Sequence, residues 1–298
     1  MPQPCIDQQK CVQCGQCVAT CPSMLFEKAQ DGVRIVPERV SWCVPCGHCM
    51  AVCPTEAVSV PGFDYGGFAE LPSGVPDAAA LEALLLTRRS VRRFTDEPVS
   101  REALDQIVRL AATAPMGVPP QTVEVTVLST REQVAAILPE VMDGLAEFTK
   151  QLKNPLWRYF IRKSVGAEQF DALEEHMLPF LEPMCRLFRE EGLDGATWGA
   201  PAMLLFHAAR RSVSGKENCF IACTYAMLAA HALGLGTTII GIVPPVVDQS
   251  KALRARLGIP EGNECVTSVI VGHPAQRFRR TIPRAFRSVT MVGGQERR

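Results

Sequence analysis

The sequence predicts an α+β protein in two unequal parts, a small cysteine-rich front unit followed by a mixed sheet flanked by helices. Three observations predict it. A cysteine pattern occurs twice before residue 55, a Gly- and Pro-rich stretch follows, and from residue 77 onward helix-like and strand-like patterns take turns. A length of 298 residues suits about two domains, and a hydrophobic content of 47% is enough for a substantial core. Lys plus Arg and Asp plus Glu stand at 31 each, so charge makes no case for nucleic acid or an anionic membrane as a partner.

The front unit comes first. Cys11, Cys14, Gly15, Cys17, Cys21 and Pro22 recur as Cys43, Cys46, Gly47, Cys49, Cys53 and Pro54, each set spelling C-x2-C-x2-C-x3-C-P. Bacterial ferredoxins hold 4Fe-4S clusters with this spacing. A cubane needs four soft thiolates at its corners, and Cys at every third position of a tight loop turns three of them inward. The glycines bring backbone N–H groups close to the inorganic sulfides, and the prolines end the loops. In the two-cluster arrangement the fourth Cys of each run serves the other cluster. Cluster I then takes Cys11, Cys14, Cys17 and Cys53, and cluster II takes Cys43, Cys46, Cys49 and Cys21. A zinc ribbon would use paired C-x2-C knuckles without the Cys-Pro ending, and a disulfide framework would come with a secretory leader, which is not visible. Thiols kept for iron imply a reducing compartment, so the cytoplasm is the expected location. Cys5, Cys185, Cys219, Cys223 and Cys265 read as ordinary thiols in apolar surroundings.

The front unit is expected over residues 1–61, a linker over 62–77 and the larger unit over 78–298. Leu81, Leu84 and Leu85 recur at helix spacing, and Ser100 is a plausible cap for a helix over 101–112. Val123, Val125 and Val127 alternate as a strand does. Residues 139–193 read as helical but broken at Pro155, Pro179 and Pro183. Their aromatic residues (Phe148, Trp157, Tyr159, Phe160, Phe170, Phe180 and Phe188) suit a lid. A strand follows over 202–208, a long helix over 217–233, an inner strand over 237–243 and a helix over 253–257. A strand over 265–271 and a short one over 289–292 complete the order. Gly234, Gly236 and Gly241 split the apolar run 221–243 into helix and strand, which fits a buried core and no membrane span.

Arg88, Arg89, Arg92 and Arg93 surround Ser90 at a helix end. They could cradle a phosphate, although such a run alone equally fits a solvated helix terminus. Its company is more informative. In order come Ala114, Pro115, Met116, Gly117, Val118, Pro119, Pro120 and Gln121, then Gly199, Ala200 and Pro201. The run from His231 through Gly234, Gly236, Thr238 and Ile240 to Gly241 follows, then Leu257, Gly258, Ile259 and Pro260, and last Val271, Gly272, His273 and Pro274. This series resembles the nitroreductase family of FMN enzymes over residues 78–290. With the front unit, the whole chain resembles ferredoxin–nitroreductase fusions.

The resemblance implies a homodimer with FMN at the subunit interface. Arg88, Arg89, Ser90 and Arg92 would hold the phosphate and ribityl chain, with Arg279 or Arg280 as a late basic contact. Met116, Gly117, Pro119 and Gln121 would lie in a loop that the partner subunit lays against the isoalloxazine. Thr238, Ile240 and Gly241 would bring backbone N–H groups to flavin N5 and O4. Family members commonly carry Asn where this chain has Pro119, and a small polar residue where it has Met116. The glycines at 234, 236 and 241 follow a helix instead of opening one, which disfavours a Rossmann dinucleotide site. His231 is expected to pack within its helix.

The activity implied is an oxidoreductase that passes electrons from two 4Fe-4S clusters to FMN. From there they would go to a small acceptor such as a nitroaromatic, a quinone or an activated alkene. Two other readings stand beside it. One is an electron-transfer hub for a ferredoxin-type protein partner, for which the six acidic against four basic residues in 1–65 would suit docking. The other is a reductive dehalogenase or flavin-modifying member of the same family.

Overall fold

The computed structural model describes residues 3–30, 32–118 and 120–292, so Pro119 lies outside the described residues. Both cysteine loops are built alike. Gly15 caps helix α1 (Gln16–Thr20) and Gly47 caps helix α2 (His48–Ala51), at φ of 75° and 76°, where only glycine sits without strain. Strand β1 (Cys5–Ile6) pairs antiparallel with β4 (Val58–Ser59), and β2 (Phe26–Ala29) with β3 (Gly32–Ile35). Leu25, Phe26, Val33, Met50, Val58 and Val60 form a small core with Cys17 and Cys49. So few apolar groups leave stability to be supplied by what the thiols bind.

The expected linker starts later than 62. Phe63, Tyr65 and Phe68 pack against the front core, and the Tyr65 hydroxyl donates to the Val58 carbonyl at 2.8 Å. Asp64 caps the turn between them by accepting from the Gly66 N–H. Three aromatic rings have too much apolar surface to leave in a solvated tether.

The larger unit is a four-stranded antiparallel sheet in the order β5-β6-β8-β7, covered on both faces. Its strands are β5 (Val123–Leu128), β6 (Ala202–Ala209), β7 (Gly236–Ile239) and β8 (Asn263–Gly272). On the central strand β6, Ala202, Leu204, Phe206 and Ala208 face one helical layer while Met203 and Leu205 face the other. The first layer is α4 (Arg101–Ala111) and α9 (Gly215–Ala232). The second is α5 (Arg131–Lys153), α8 (Leu178–Glu191), α10 (Val243–Gln249) and α11 (Lys251–Arg256). Ser100 caps α4 as expected, its hydroxyl accepting from the Ala103 N–H. Helix α3 (Ala78–Thr87) is capped by Asp77 and buries none of its residues, although most of them are apolar.

Three expectations need correcting. The inner strand ends at Ile239, because Pro244 and Pro245 suit a first helical turn and start α10. Pro183 does not break the chain but lies inside α8, as Pro139 lies inside α5. Each removes one helical hydrogen bond, and burial of Leu138, Val141 and Met142 or Leu181, Met184 and Cys185 outweighs it. The real breaks are at Asn154, which caps α6 (Pro155–Val165), at Gly166 before α7 (Ala167–His176), and at Met177. Residues 289–292 carry no strand. Among the described residues no helix is long and apolar enough to cross a membrane.

Candidate cluster and cofactor sites

Two small cavities, of about 20 Å3 each, open in the front unit. Cys11, Cys14, Cys17 and Cys53 line one; Cys21, Cys43, Cys46 and Cys49 line the other. The chain thus gathers the thiols in the crossed sets that the spacing predicts. Burial pushes the Cys49 thiol up to about 12, and Cys21, Cys46 and Cys43 add to the effect as like charges. Burial also raises Cys17, with Cys11 and Cys53 contributing in the same sense. Cys53 goes the other way: burial raises it, but N–H groups of Thr55, Ala57 and Val58 outweigh that. Four crowded thiolates need positive charge among them, which iron supplies. Among the described residues no three such ligands converge on a single-ion position, whereas a cubane takes its thiolates at separate corners.

The second site starts where α3 ends. The segment after Thr87 runs along the outer edge of β7: Ser90 bridges Thr237, the Val91 N–H donates to the Thr237 carbonyl at 3.0 Å, and the Thr238 hydroxyl donates to the Val91 carbonyl at 2.6 Å. This pairing fixes Arg88 and Arg89 against the C-terminal end of α9. Burial holds the Arg88 guanidinium below its ordinary pKa, and the charges of Arg284 and Arg89 push the same way. His231 is lowered by burial, then by Arg88 and Arg89, and it shares a 2.8 Å hydrogen bond with Thr87. It is therefore part of this cluster and not merely helix packing. Arg89 donates to the carbonyls of Arg88 at 2.6 Å and Arg280 at 3.3 Å, yet its Nε is buried without a partner, as is the neighbouring Thr237 hydroxyl. Crowded cations and orphaned donors fit an anion such as a phosphate.

Other predicted residues fall elsewhere. Arg92 is exposed and lies over the Trp198 ring, 5.2 Å from its centroid. Arg279 and Arg280 are exposed, and Arg280 contributes only its carbonyl. The late arginine that acts on Arg88 is Arg284. Ile240 is buried, its N–H donating to Ser268 at 2.8 Å, so strand alternation turns Ile239 and Gly241 outward instead.

Met116, Gly117 and Gln121 sit at the opposite end of α9. Asn218, fully buried near the start of that helix, accepts from the Gly117 N–H at 2.7 Å and donates to the Thr122 hydroxyl at 3.3 Å. A Cβ on Gly117 would stand 2.7 Å from the Ser214 hydroxyl, and Gln121 holds a left-handed φ of 60°. From Asn218 to His231 the helix rises about 20 Å. The loop and the arginine cradle therefore lie at opposite ends of one helix. Asn218, Trp198 and Arg284 were not singled out by sequence. A lone Asn in an apolar helix was the available signal for the first, and the basic run around Arg280 for the last.

A family model described as the nitroreductase family matches residues 85–273, and one described as a 4Fe-4S dicluster domain matches residues 10–58. The chain is 29% identical to the FMN reductase (NAD(P)H) of Bacillus subtilis over 193 residues, spanning 65% of this chain and 65% of that relative. Among solved structures, a nitroreductase with bound FMN from Bacteroides fragilis superposes with a TM-score of 0.50 at 18% identity, over 72% of this chain and 97% of that one. A second, also with bound FMN, from Desulfitobacterium hafniense, gives 0.48 at 22% identity over 68% and 93%.

Proposed function

The chain belongs to the nitroreductase family, and on that premise we propose that it is an FMN-dependent oxidoreductase fed by its own two 4Fe-4S clusters. The observation that carries this reading is the coexistence of two four-thiol cavities with an arginine cradle whose buried donors lack partners. Clusters carry single electrons at low potential, and bound FMN supplies the means of passing them on as a pair. The chain's own residues then have definite tasks. Arg88, Arg89 and Ser90 hold the phosphate, with Arg284 adding positive charge and His231 fixing Thr87. Thr238 anchors Val91 so that the cradle keeps its place on β7. Ile239 and Gly241 present backbone at the flavin edge.

We also propose that the working form is a homodimer. The cradle and the loop of Met116, Gly117 and Gln121 lie at opposite ends of α9, so the partner's loop must complete each site. Helix α3 leaves Leu81, Leu85 and Leu86 about half exposed, and α9, on which it packs, leaves Phe220 and Tyr225 partly exposed, apolar surface that a second copy would cover. The acceptor is a small oxidant of the nitroaromatic, quinone or activated-alkene class.

The test is the composition and turnover of anaerobically purified protein. Two four-iron clusters and one FMN per chain, with dithionite-reduced protein reducing a nitroarene or a quinone, are expected. Zinc in place of iron, or no flavin, would overturn the reading. Oxidation by a ferredoxin or flavodoxin alone would replace it with an electron-transfer hub.

A further inference from the structure

The two cysteine loops are near copies in sequence, yet their surroundings differ in three respects. At Gly15, in the loop of Cys11, Cys14 and Cys17, the Lys28 side chain from β2 lies across the backbone. A Cβ there would overlap Lys28 Cε and stand 2.8 Å from its ammonium nitrogen. At Gly47, the matching place is covered by the Phe63 ring, 3.1 Å from where a Cβ would be. One loop thus wears a cation and the other an apolar ring. The crossed-over thiols differ as well. Cys53 accepts from the Ala57 N–H at 3.2 Å and has the Thr55 hydroxyl at 3.9 Å, whereas Cys21 accepts from the Leu25 N–H at 3.4 Å. Finally, Cys14 is exposed where its counterpart Cys46 is half-buried.

Reduction adds a negative charge to a centre that is already anionic. A nearby ammonium, N–H donors to sulfur and access to water all favour that extra charge and raise the potential; an apolar cover lowers it. The three differences therefore act in one direction. We infer that the two clusters are ordered in potential, the cluster of Cys11, Cys14, Cys17 and Cys53 lying higher, with Lys28 and Phe63 setting the gap. The inference rests on the two-cluster reading above. It gives the pair a division of labour. The first electron to arrive settles on the Lys28 side, and the second, held on the Phe63 side, is the stronger reductant. Each arrival moves one electron and makes or breaks no bond.

The experiment is a mediated dithionite titration of the holoprotein followed by electron paramagnetic resonance, at low salt and at pH 9, where imidazoles carry no charge. Two resolved steps are expected. Lys28→Gln lowers the upper step and leaves the lower in place, and Phe63→Leu raises the lower step alone. Because Lys28 is exposed, added salt screens it, so the upper step of the unmodified protein falls with ionic strength more than the lower one. That salt dependence decides the matter even where a variant loses its clusters. A single midpoint in the unmodified protein, or an upper step indifferent to both Lys28→Gln and salt, overturns the inference. Iron content keeps the two claims apart. A shortfall of iron and sulfide defeats the two-cluster reading, whereas full iron with equal midpoints defeats only the ordering.

Discussion

The front unit gathers each of its thiol sets within about fifty residues of one chain, while the rear unit holds the two segments proposed for its cofactor site at opposite ends of one helix. Cys53 crosses to the loop of Cys11, and Cys21 to the loop of Cys43, through a core only a few side chains thick. Arg88 and Gly117, by contrast, are parted by most of α9, which is itself buried in the core and cannot bend to join them. The difference teaches what kind of object each site is. On the proposed reading, a cluster site is a property of the folded chain and the flavin site a property of the pair. The two should fail, and be repaired, by different rules.

The largest effect expected follows from that contrast. Cys49→Ser removes a ligand whose partners all lie in its own chain, so one cluster's iron is lost and mixing with any other variant restores none of it. Because metal binding and folding are one event in so small a unit, the front domain of this variant should also become protease-sensitive. The double variant Arg88→Ala with Arg89→Ala loses two charge-assisted contacts and should weaken FMN binding by more than about 100-fold. Here mixing does help. Refolded with Gly117→Val, whose side chain would collide with Ser214, it should recover about a quarter of the flavin sites, because half of the random dimers bring one intact cradle to one intact loop. Flavin content after mixing reads the outcome, and no recovery would place the whole site inside one chain.

The same contrast explains what the sequence made legible. Cluster ligands were readable residue by residue because their spacing is local and every position in the loop has a chemical duty. The cradle was readable only as a segment. Arg88 and Arg89 converge with His231, but Arg92 departs to Trp198 and Arg284 takes the place expected of Arg279 or Arg280. Which arginine of a basic run turns inward depends on pairing with β7, and no spacing rule carries that. Ile240 shows the point for a strand. Its N–H was expected to face the flavin, but alternation commits that N–H to Ser268. Proline was the least reliable guide, since Pro155 and Pro179 mark helix starts while Pro139 and Pro183 ride inside helices.

A smaller effect is expected at Asn218, which joins the loop to the helix. Asn218→Ala leaves the Gly117 N–H without its partner and should cost about 1–3 kcal/mol of stability in the rear unit. If the loop serves the other subunit's site as proposed, the FMN dissociation constant should rise by roughly tenfold, in line with a loss of that size. Iron content should not change. Thermal unfolding and flavin titration of the same preparation separate the two effects. A variant that loses stability but keeps its FMN affinity would detach the loop from the site.

The smallest effect concerns pH and the buried histidine of β6. His207 is buried, and Asn263 donates from Nδ2 both to Glu124 at 2.7 Å and to His207 Nδ1 at 2.9 Å. Nδ1 is therefore an acceptor and the proton sits on Nε2, facing the Thr126 hydroxyl at 3.3 Å, which in turn donates to Leu257. Burial holds the imidazole below its ordinary 6.5; Glu124 pulls it up and Arg254 pushes it down again. As pH falls through about 6.5 the unfolded chain takes a proton that the fold refuses, so stability falls from there until the folded group also titrates. His231, lowered for a related reason beside Arg88, adds the same slope in flavin-free protein, and a bound phosphate should remove its share. The comparison of pH 8 with pH 5 by denaturant midpoint should therefore show a loss that His207→Gln reduces in flavin-free and flavin-bound protein alike. The His231 portion should disappear on FMN binding. An acid loss untouched by either change would mean that carboxylates elsewhere set the limit, and that the two ends of the rear unit do not differ in the way their hydrogen bonds imply.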